Sequence, residues 1–151
     1  MKLAEALNLR ADLQRRVEQL RHRLINNAKV QEGLSPSEDP DELMKELDDD
    51  ISQLTDLIGR INKTNACVSD ENGRSITEII ASKDTLMLKI SVYRDFLDNA
   101  SKKVDRYSKS EIRIDSTVNV RELQKMVDDD SKRLRELDTA LQQLNWTTEL
   151  M

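Results

Sequence analysis

Apolar residues recur at steps of three and four along four stretches of the chain, which is the spacing of one face of a helix. The first stretch covers about residues 2–31, and its face consists of Leu3, Ala6, Arg10, Leu13, Val17, Leu20 and Leu24. The second covers about residues 40–65, and its face consists of Leu43, Leu47, Ile51, Leu54, Leu57, Ile58 and Ile61. The wider second face predicts a helix with more than one neighbour.

The same spacing returns in the second half of the chain. The third stretch begins after Ser75 and ends near residues 103–107, and its face consists of Ile79, Lys83, Leu86, Ile90, Tyr93, Leu97, Ala100 and Val104. The fourth covers about residues 120–146, and its face consists of Val120, Leu123, Val127, Asp130, Leu134, Leu137, Leu141 and Leu144. The pattern therefore predicts four long helices.

The connections carry their own signals. Gly33 predicts the C-terminal cap of the first helix, and Asp39 followed by Pro40 predicts the start of the second. Residues 62–75 break the periodicity around an Asn-Gly pair, which predicts a loop with room for two short strands. Residues 108–118 alternate β-branched and polar positions, which predicts an extended segment.

Composition supports an all-α fold. Aromatic residues make up 3% of the chain and charged residues 35%, which is typical of long helices rather than of a sandwich or a doubly wound sheet. Long helices with short connections turn back on each other, so we expect one domain over residues 1–151, built as an up-down bundle or as two antiparallel coiled-coil hairpins. A narrow apolar face leaves much of each helix exposed, and we therefore expect a homo-oligomer.

Charge is unevenly distributed along the chain. Residues 1–31 hold seven Lys and Arg against three acids, whereas residues 32–56 hold ten acids against one lysine. Two antiparallel helices with these charges attract each other, which favours their pairing and orientation. The net charge of −5 argues against a nucleic-acid partner.

Four charged residues lie in or beside the apolar faces. Arg10, Lys83 and Asp130 occupy positions within the faces, and Asp50 lies near one. Opposite charges in opposed faces predict an interhelical ion pair or a polar core layer that sets helix register, and a small ligand or a metal ion at this layer is the alternative. Asp50 and Asp130 each end a run of three aspartates, whose other members, Asp48, Asp49, Asp128 and Asp129, are expected to face solvent.

Catalytic apparatus is not visible in the sequence. His22 is the single histidine, so the paired Glu-x-x-His motifs of di-iron bundles are excluded, and no Ser-His-Asp arrangement can be argued from the sequence. We predict a protein that is not an enzyme and that has no cofactor or bound metal. The start of the chain lacks the pattern of a signal peptide and no stretch is long and apolar enough to cross a membrane, so we expect a cytoplasmic protein without a membrane partner.

Several segments resemble a family of small bacterial helical proteins, some of whose members carry the label septicolysin. The most specific are "NWTTEL" at residues 145–150 and "YSKSEI" at residues 107–112, with "LIGRINKTN" at residues 57–65. The resemblance covers nearly the whole chain and implies an uncharacterised protein, and the label suggests a pore-forming toxin. It also directs attention to Trp146 and Tyr107, which we expect to close one end of the bundle or to form a subunit contact.

The sequence thus favours a non-catalytic helical protein that acts in oligomeric interaction or assembly, with itself or with an unknown protein partner. The alternative is a bundle that binds a small ligand or metal ion through its polar core layer. A membrane-active toxin is least favoured, because the sequence offers no secretion signal and no amphipathic hairpin suited to insertion.

Overall fold

The structure is a computed structural model that describes residues 1–102 and 114–151. Over these residues the chain forms four α-helices, namely α1 (Leu3–Asn26), α2 (Pro40–Cys67), α3 (Ile76–Ser101) and α4 (Val120–Thr147). Extended pairing in the same residues consists of two isolated bridges, Lys2 with Glu149 and Ser69 with Ser75. The prediction of an all-α fold with four long helices is confirmed.

Two compact units make up the chain. One consists of Met1–Ile76 and Gln143–Met151, and the other of Thr77–Gln142. The organisation of residues 1–151 as a single domain stays a prediction, as does the coiled-coil form of the hairpins.

In the first unit, α1 and α2 run antiparallel. Arg16 pairs with Asp50, and Arg23, which lies later in α1, pairs with Glu46, which lies earlier in α2. These ion pairs join the basic first segment of the sequence to the acidic second one, as the charge pattern predicts. The apolar core that the two helices contribute consists of Leu3, Ala4, Ala6, Leu13, Leu20, Leu43, Leu57 and Ile61.

One position on α2 differs from the predicted face. Ile51 is 43% exposed, whereas the preceding residue Asp50 is 1% exposed. The buried row on α2 runs through Leu43, Asp50, Leu57 and Thr64 at steps of seven. The predicted face is thus kept at Leu43 and Leu57, and between them the buried position is Asp50, whose carboxylate pairs with Arg16 on α1.

The first helix ends five residues before the predicted boundary near residue 31. The Asn27 side chain donates to Arg23 O at 2.9 Å, and its oxygen accepts from Glu38 N at 3.0 Å. This buried amide ends α1 and holds the returning chain, so Gly33 is not the cap. Gly33 has a φ of 81° and instead serves a turn closed by the hydrogen bond from Leu34 N to Gln31 O.

The start of α2 is as predicted, because Asp39 caps it by accepting from Asp41 N at 2.9 Å and Pro40 is its first residue. Beyond the end of α2, the loop has one isolated bridge in place of two short strands. Asp70 organises this loop by accepting from Asn72 N and Arg74 N, both at 2.9 Å, and from the Arg74 guanidinium at 2.8 Å. These bonds lower the pKa of Asp70, with the bond from Arg74 N as the largest cause.

The first unit also brings the two ends of the sequence side by side. Leu3 N donates to Thr148 O and Leu150 N donates to Met1 O, each at 2.9 Å. The Lys2 ammonium lies 2.6 Å from Glu149, and its hydrogen bond lowers the pKa of that carboxyl.

In the second unit, α3 and α4 are joined by interhelical ion pairs, Lys83 with Asp138 and Lys89 with Asp130. Part of its apolar core is a cluster of Leu97, Leu123 and Val127, against which Tyr93, Val118 and Val120 pack. Of the predicted extended segment at residues 108–118, residues 108–113 lie outside the described residues. The described remainder, from residue 114, is not helical before α4 begins.

Candidate functional site

Asp50 is the buried charge of the first unit. Its Oδ1 lies 2.6 Å from the Arg16 guanidinium, whose side chain is 50% exposed. The second oxygen, Oδ2, is buried and has no hydrogen-bond partner among the described residues. A buried carboxylate with one unsatisfied oxygen is costly, and the contact with the Arg16 guanidinium on α1 offsets part of that cost.

Three of the four polar residues predicted to share a layer have ion-pair partners among the described residues, and Asp50 pairs with Arg16. Lys83 pairs with Asp138, and Asp130 pairs with Lys89 at 2.8 Å. Lys89 also lies over the ring of Tyr93, 5.6 Å from its centroid. Arg10 has a buried Nε without a hydrogen-bond partner in the described part of the chain.

Interhelical ion pairs are therefore present, but Lys83 and Asp130 belong to two different pairs within the second unit. Arg10 and Asp50 belong to the first unit, where Asp50 pairs with Arg16. The described ion pairs lie within each unit, and a polar layer shared by all four residues stays a prediction. Asp50, Lys83 and Asp130 each pair with a charge on the facing helix, because a side chain on one of two antiparallel helices reaches the nearest opposite charge on the other.

The two runs of three aspartates are split by helix geometry. Asp48, Asp49, Asp128 and Asp129 are exposed, and Asp130 is half-buried. Among residues 1–102 and 114–151, no three His, Cys, Asp or Glu side chains converge in a way that could hold a metal ion.

Trp146 is 58% exposed, while its neighbour Asn145 is buried. The side chain that packs into the core at this end of α4 is therefore Asn145, and the exposed indole of Trp146 does not cover the core. A subunit contact through Trp146 stays a prediction. Tyr107 lies outside the described residues.

A charge cluster that the sequence did not single out connects α1 to the start of α2. The Arg23 guanidinium donates to Glu38 at 2.6 Å and to Glu46 at 3.4 Å. Hydrogen bonding to Glu38 raises the pKa of Arg23, and the same bond lowers the pKa of Glu38. The opposite charges of the two segments were the available signal, but they do not indicate which pairs form.

Apolar side chains also lie outside the hairpin cores. On α2, Met44 is 48% and Ile51 is 43% exposed. On α3, the exposed residues Leu88, Val92 and Phe96 follow each other at steps of four, so they lie on one side of the helix. Both helices therefore present apolar surface on a side that their hairpin partner does not cover.

Among residues 1–102 and 114–151, no helix combines the length and the apolar character that crossing a membrane requires.

Comparison with known proteins shows which family and which solved structure the chain is similar to. A family of unknown function, DUF6847, matches residues 10–150. The fold matches the crystal structure of a functionally unknown conserved protein from Corynebacterium diphtheriae, with a TM-score of 0.90 and 40% sequence identity over 100% of this chain and 99% of that one. No protein of curated function matches the chain.

The predicted resemblance to an uncharacterised family is confirmed, whereas the septicolysin label appears in neither description. With 141 of its 151 residues matched, the chain belongs to the family of unknown function DUF6847.

Proposed function

We propose that this protein is a non-catalytic assembly protein that associates with a second copy of itself. The observation that carries the proposal is the double apolar surface of α2. Its inner row, Leu43, Asp50, Leu57 and Thr64, is buried on the α1–α2 pair. Its outer row is Met44, Leu47, Ile51, Leu54 and Ile58, and it retains exposed surface at Met44 and Ile51.

Regular spacing distinguishes the outer row from scattered surface apolar residues. Its members alternate steps of three and four over 15 residues, and isolated exposed apolar residues do not repeat in this way. A row with this period fits a second helix along its length. The sequence already predicts an α2 that faces more than one neighbour.

The strength of such an association follows from the area left to cover. Met44 and Ile51 are each about half exposed, and complete burial of such a side chain contributes roughly 1.5–3 kcal/mol, so each contributes about 1 kcal/mol when covered. Two copies contribute about 4 kcal/mol from these residues, with a smaller amount from the half-buried members. Association costs about 4–15 kcal/mol in lost freedom, which offsets this gain, so we expect at most a weak dimer with a Kd no tighter than about millimolar.

The non-catalytic part of the proposal is supported by the titratable groups. Four groups of the described residues, Arg23, Glu38, Asp70 and Glu149, have shifted pKa values, and each is shifted by hydrogen bonds that hold a loop or a chain end. Shifted groups at catalytic sites are instead grouped in a cleft with specific charge partners. A cytoplasmic location stays a prediction.

Sedimentation equilibrium over a concentration series up to the millimolar range tests the proposal. The weight-average mass is expected to rise from 17.4 kDa toward twice that value and to fit a monomer–dimer equilibrium. Ile51→Lys should keep the mass at the monomer value at every concentration, because it places a charge in the middle of the outer row. A constant mass of 17.4 kDa for the unchanged protein would refute self-association.

A further inference from the structure

The outer row of α2 can pair with its own copy in one direction better than in the other. Leu47, Ile51, Leu54 and Ile58 are spaced so that, in an antiparallel pair, Leu47 of one copy lies opposite Ile58 of the second copy. Ile51 then lies opposite Leu54 of the second copy, and the twofold axis passes between Ser52 and Gln53. These layers are apolar on both sides, whereas Met44 lies beyond them, opposite Ile61, which is buried in the α1–α2 core.

The charges along α2 favour the same direction. Residues 40–53 hold six acids against Lys45, a net charge of −5, whereas residues 54–67 hold Asp56 against Arg60 and Lys63, a net charge of +1. An antiparallel pair places the acidic half of each copy beside the basic half of the other. A parallel pair in register would place the two acidic halves side by side, and like charges at that distance repel.

The residues that border the outer row introduce no like-charge contact between the two copies. Asp48 and Thr55 lie on the side of the row away from α1, seven residues apart, and both are exposed. In the antiparallel pair Asp48 lies near Thr55 of the second copy, and the two Asp48 carboxylates are about 14 Å apart along the helix axis at 1.5 Å per residue. The border is thus polar without a like-charge contact.

We infer that two copies associate through an antiparallel α2–α2 contact along the outer row, so that two α1–α2 pairs form a four-helix core. The inference rests on the proposed function, since it requires self-association, and it adds the surface, the direction and the register. The exposed row on α3, Leu88, Val92 and Phe96, is the competing surface for a contact between copies.

Distances between spin labels test the direction and the register. Each label is placed on a single cysteine, Thr55→Cys or Asn62→Cys, with Cys67 replaced by serine, and pulsed electron paramagnetic resonance is recorded at the concentration where the dimer forms. Both positions are exposed and border the same side of the outer row. The antiparallel register separates the two copies of residue 55 by about 8 Å along the axis and the two copies of residue 62 by about 28 Å.

A short distance at residue 55 with a distance longer by roughly 15 Å at residue 62 is the expected result, because the lateral separation of the two helices adds to the separation along the axis at both positions. Equal distances at both positions indicate a parallel pair and overturn the inference. A third outcome is a dimer by mass whose labels are far apart at both positions and which Leu88→Lys dissociates. This result would place the contact on α3 and overturn the inference of an α2–α2 contact, while the proposed self-association would stand. A monomer at all concentrations refutes both.

A matched pair of substitutions tests the surface independently of the labels. Ile51→Lys should weaken the dimer at least about tenfold, as expected for a residue at the centre of a contact, whereas Ser52→Lys should change it less than about threefold. Circular dichroism checks that the helices are retained, which is expected because Ile51 is 43% exposed and a lysine there reaches solvent. If Ile51→Lys and Ser52→Lys weakened the dimer equally, the added positive charge rather than the position would explain the effect, and the role of the outer row would be overturned.

Discussion

Arg16→Met is expected to destabilise the α1–α2 pair, and the loss should depend on Asp50. The Arg16 guanidinium lies 2.6 Å from Asp50 Oδ1, and Asp50 is 1% exposed with its other oxygen unpartnered among the described residues. Methionine keeps most of the aliphatic stem and removes only the cation. The substitution therefore leaves a buried carboxylate without compensation.

The expected loss in the free energy of unfolding lies between two limits. Removing one partner of a fully buried ion pair costs about 3–5 kcal/mol, whereas an exposed pair contributes about 0–1 kcal/mol. Because Arg16 is 50% exposed and Asp50 is buried, we expect Arg16→Met to lower the free energy of unfolding by about 2–3 kcal/mol. In an Asp50→Leu background the same substitution should cost less than about 0.5 kcal/mol, since no buried charge is left behind.

Urea denaturation followed by circular dichroism measures the four members of this double-mutant cycle. The matched control is Arg15→Met, which removes the neighbouring arginine that pairs with Asp12 on the exposed side of the same helix, and it should change stability by less than about 0.5 kcal/mol. All variants are compared at one low concentration, where a weak dimer does not contribute. An equal loss from Arg16→Met in both backgrounds would refute the argument, because the loss would then come from packing rather than from the buried charge.

Two further predictions concern residues with shifted pKa values. The pKa of Glu38 is lowered, so its carboxylate stabilises the fold fully above the unfolded glutamate pKa of about 4.3. That contribution is lost as the pH falls through the pKa of the folded state. The difference in urea midpoint between the wild type and Glu38→Gln should therefore shrink on acidification. A difference that stays constant from neutral to acidic pH would contradict it. Asp70→Ala should speed amide hydrogen exchange at Asn72 and Arg74, which lose their acceptor, while the exposed control Glu71→Ala should leave both amides protected. Unchanged exchange in Asp70→Ala would show that the loop does not depend on these bonds.

Helix positions were predictable because their signals are local. The start of α2 depends on Asp39 and Pro40, which are adjacent in sequence, and the structure has the cap where the sequence indicates it. The end of α1 depends on Asn27 and Glu38, which are eleven residues apart and meet only after the chain has turned back. Sequence periodicity does not indicate this hydrogen bond between Glu38 N and the Asn27 side chain, and the prediction for α1 was therefore too long.

The polar residues of the candidate site were predicted by position but not by partner. Asp130 and Lys83 lie in the apolar faces, as expected, yet their partners are Lys89 and Asp138, which flank those faces. A residue within a face can reach charges on either side of the opposing helix, and the choice depends on register to within one turn. Heptad spacing predicts the faces but does not fix that register.

The two rows of α2 differ in chemistry, and this difference directs each row to its own partner. The inner row contains Asp50, which needs a cation, and α1 supplies one in Arg16. If two copies paired through their inner rows, each Asp50 would be buried against apolar side chains without a cation, at a cost that exceeds the gain from the apolar layers. The outer row contains no charge, so contact between copies is favoured there. If copies associate as we propose, a single buried carboxylate separates pairing within the chain from pairing between copies, which is specificity obtained by penalising the wrong partner.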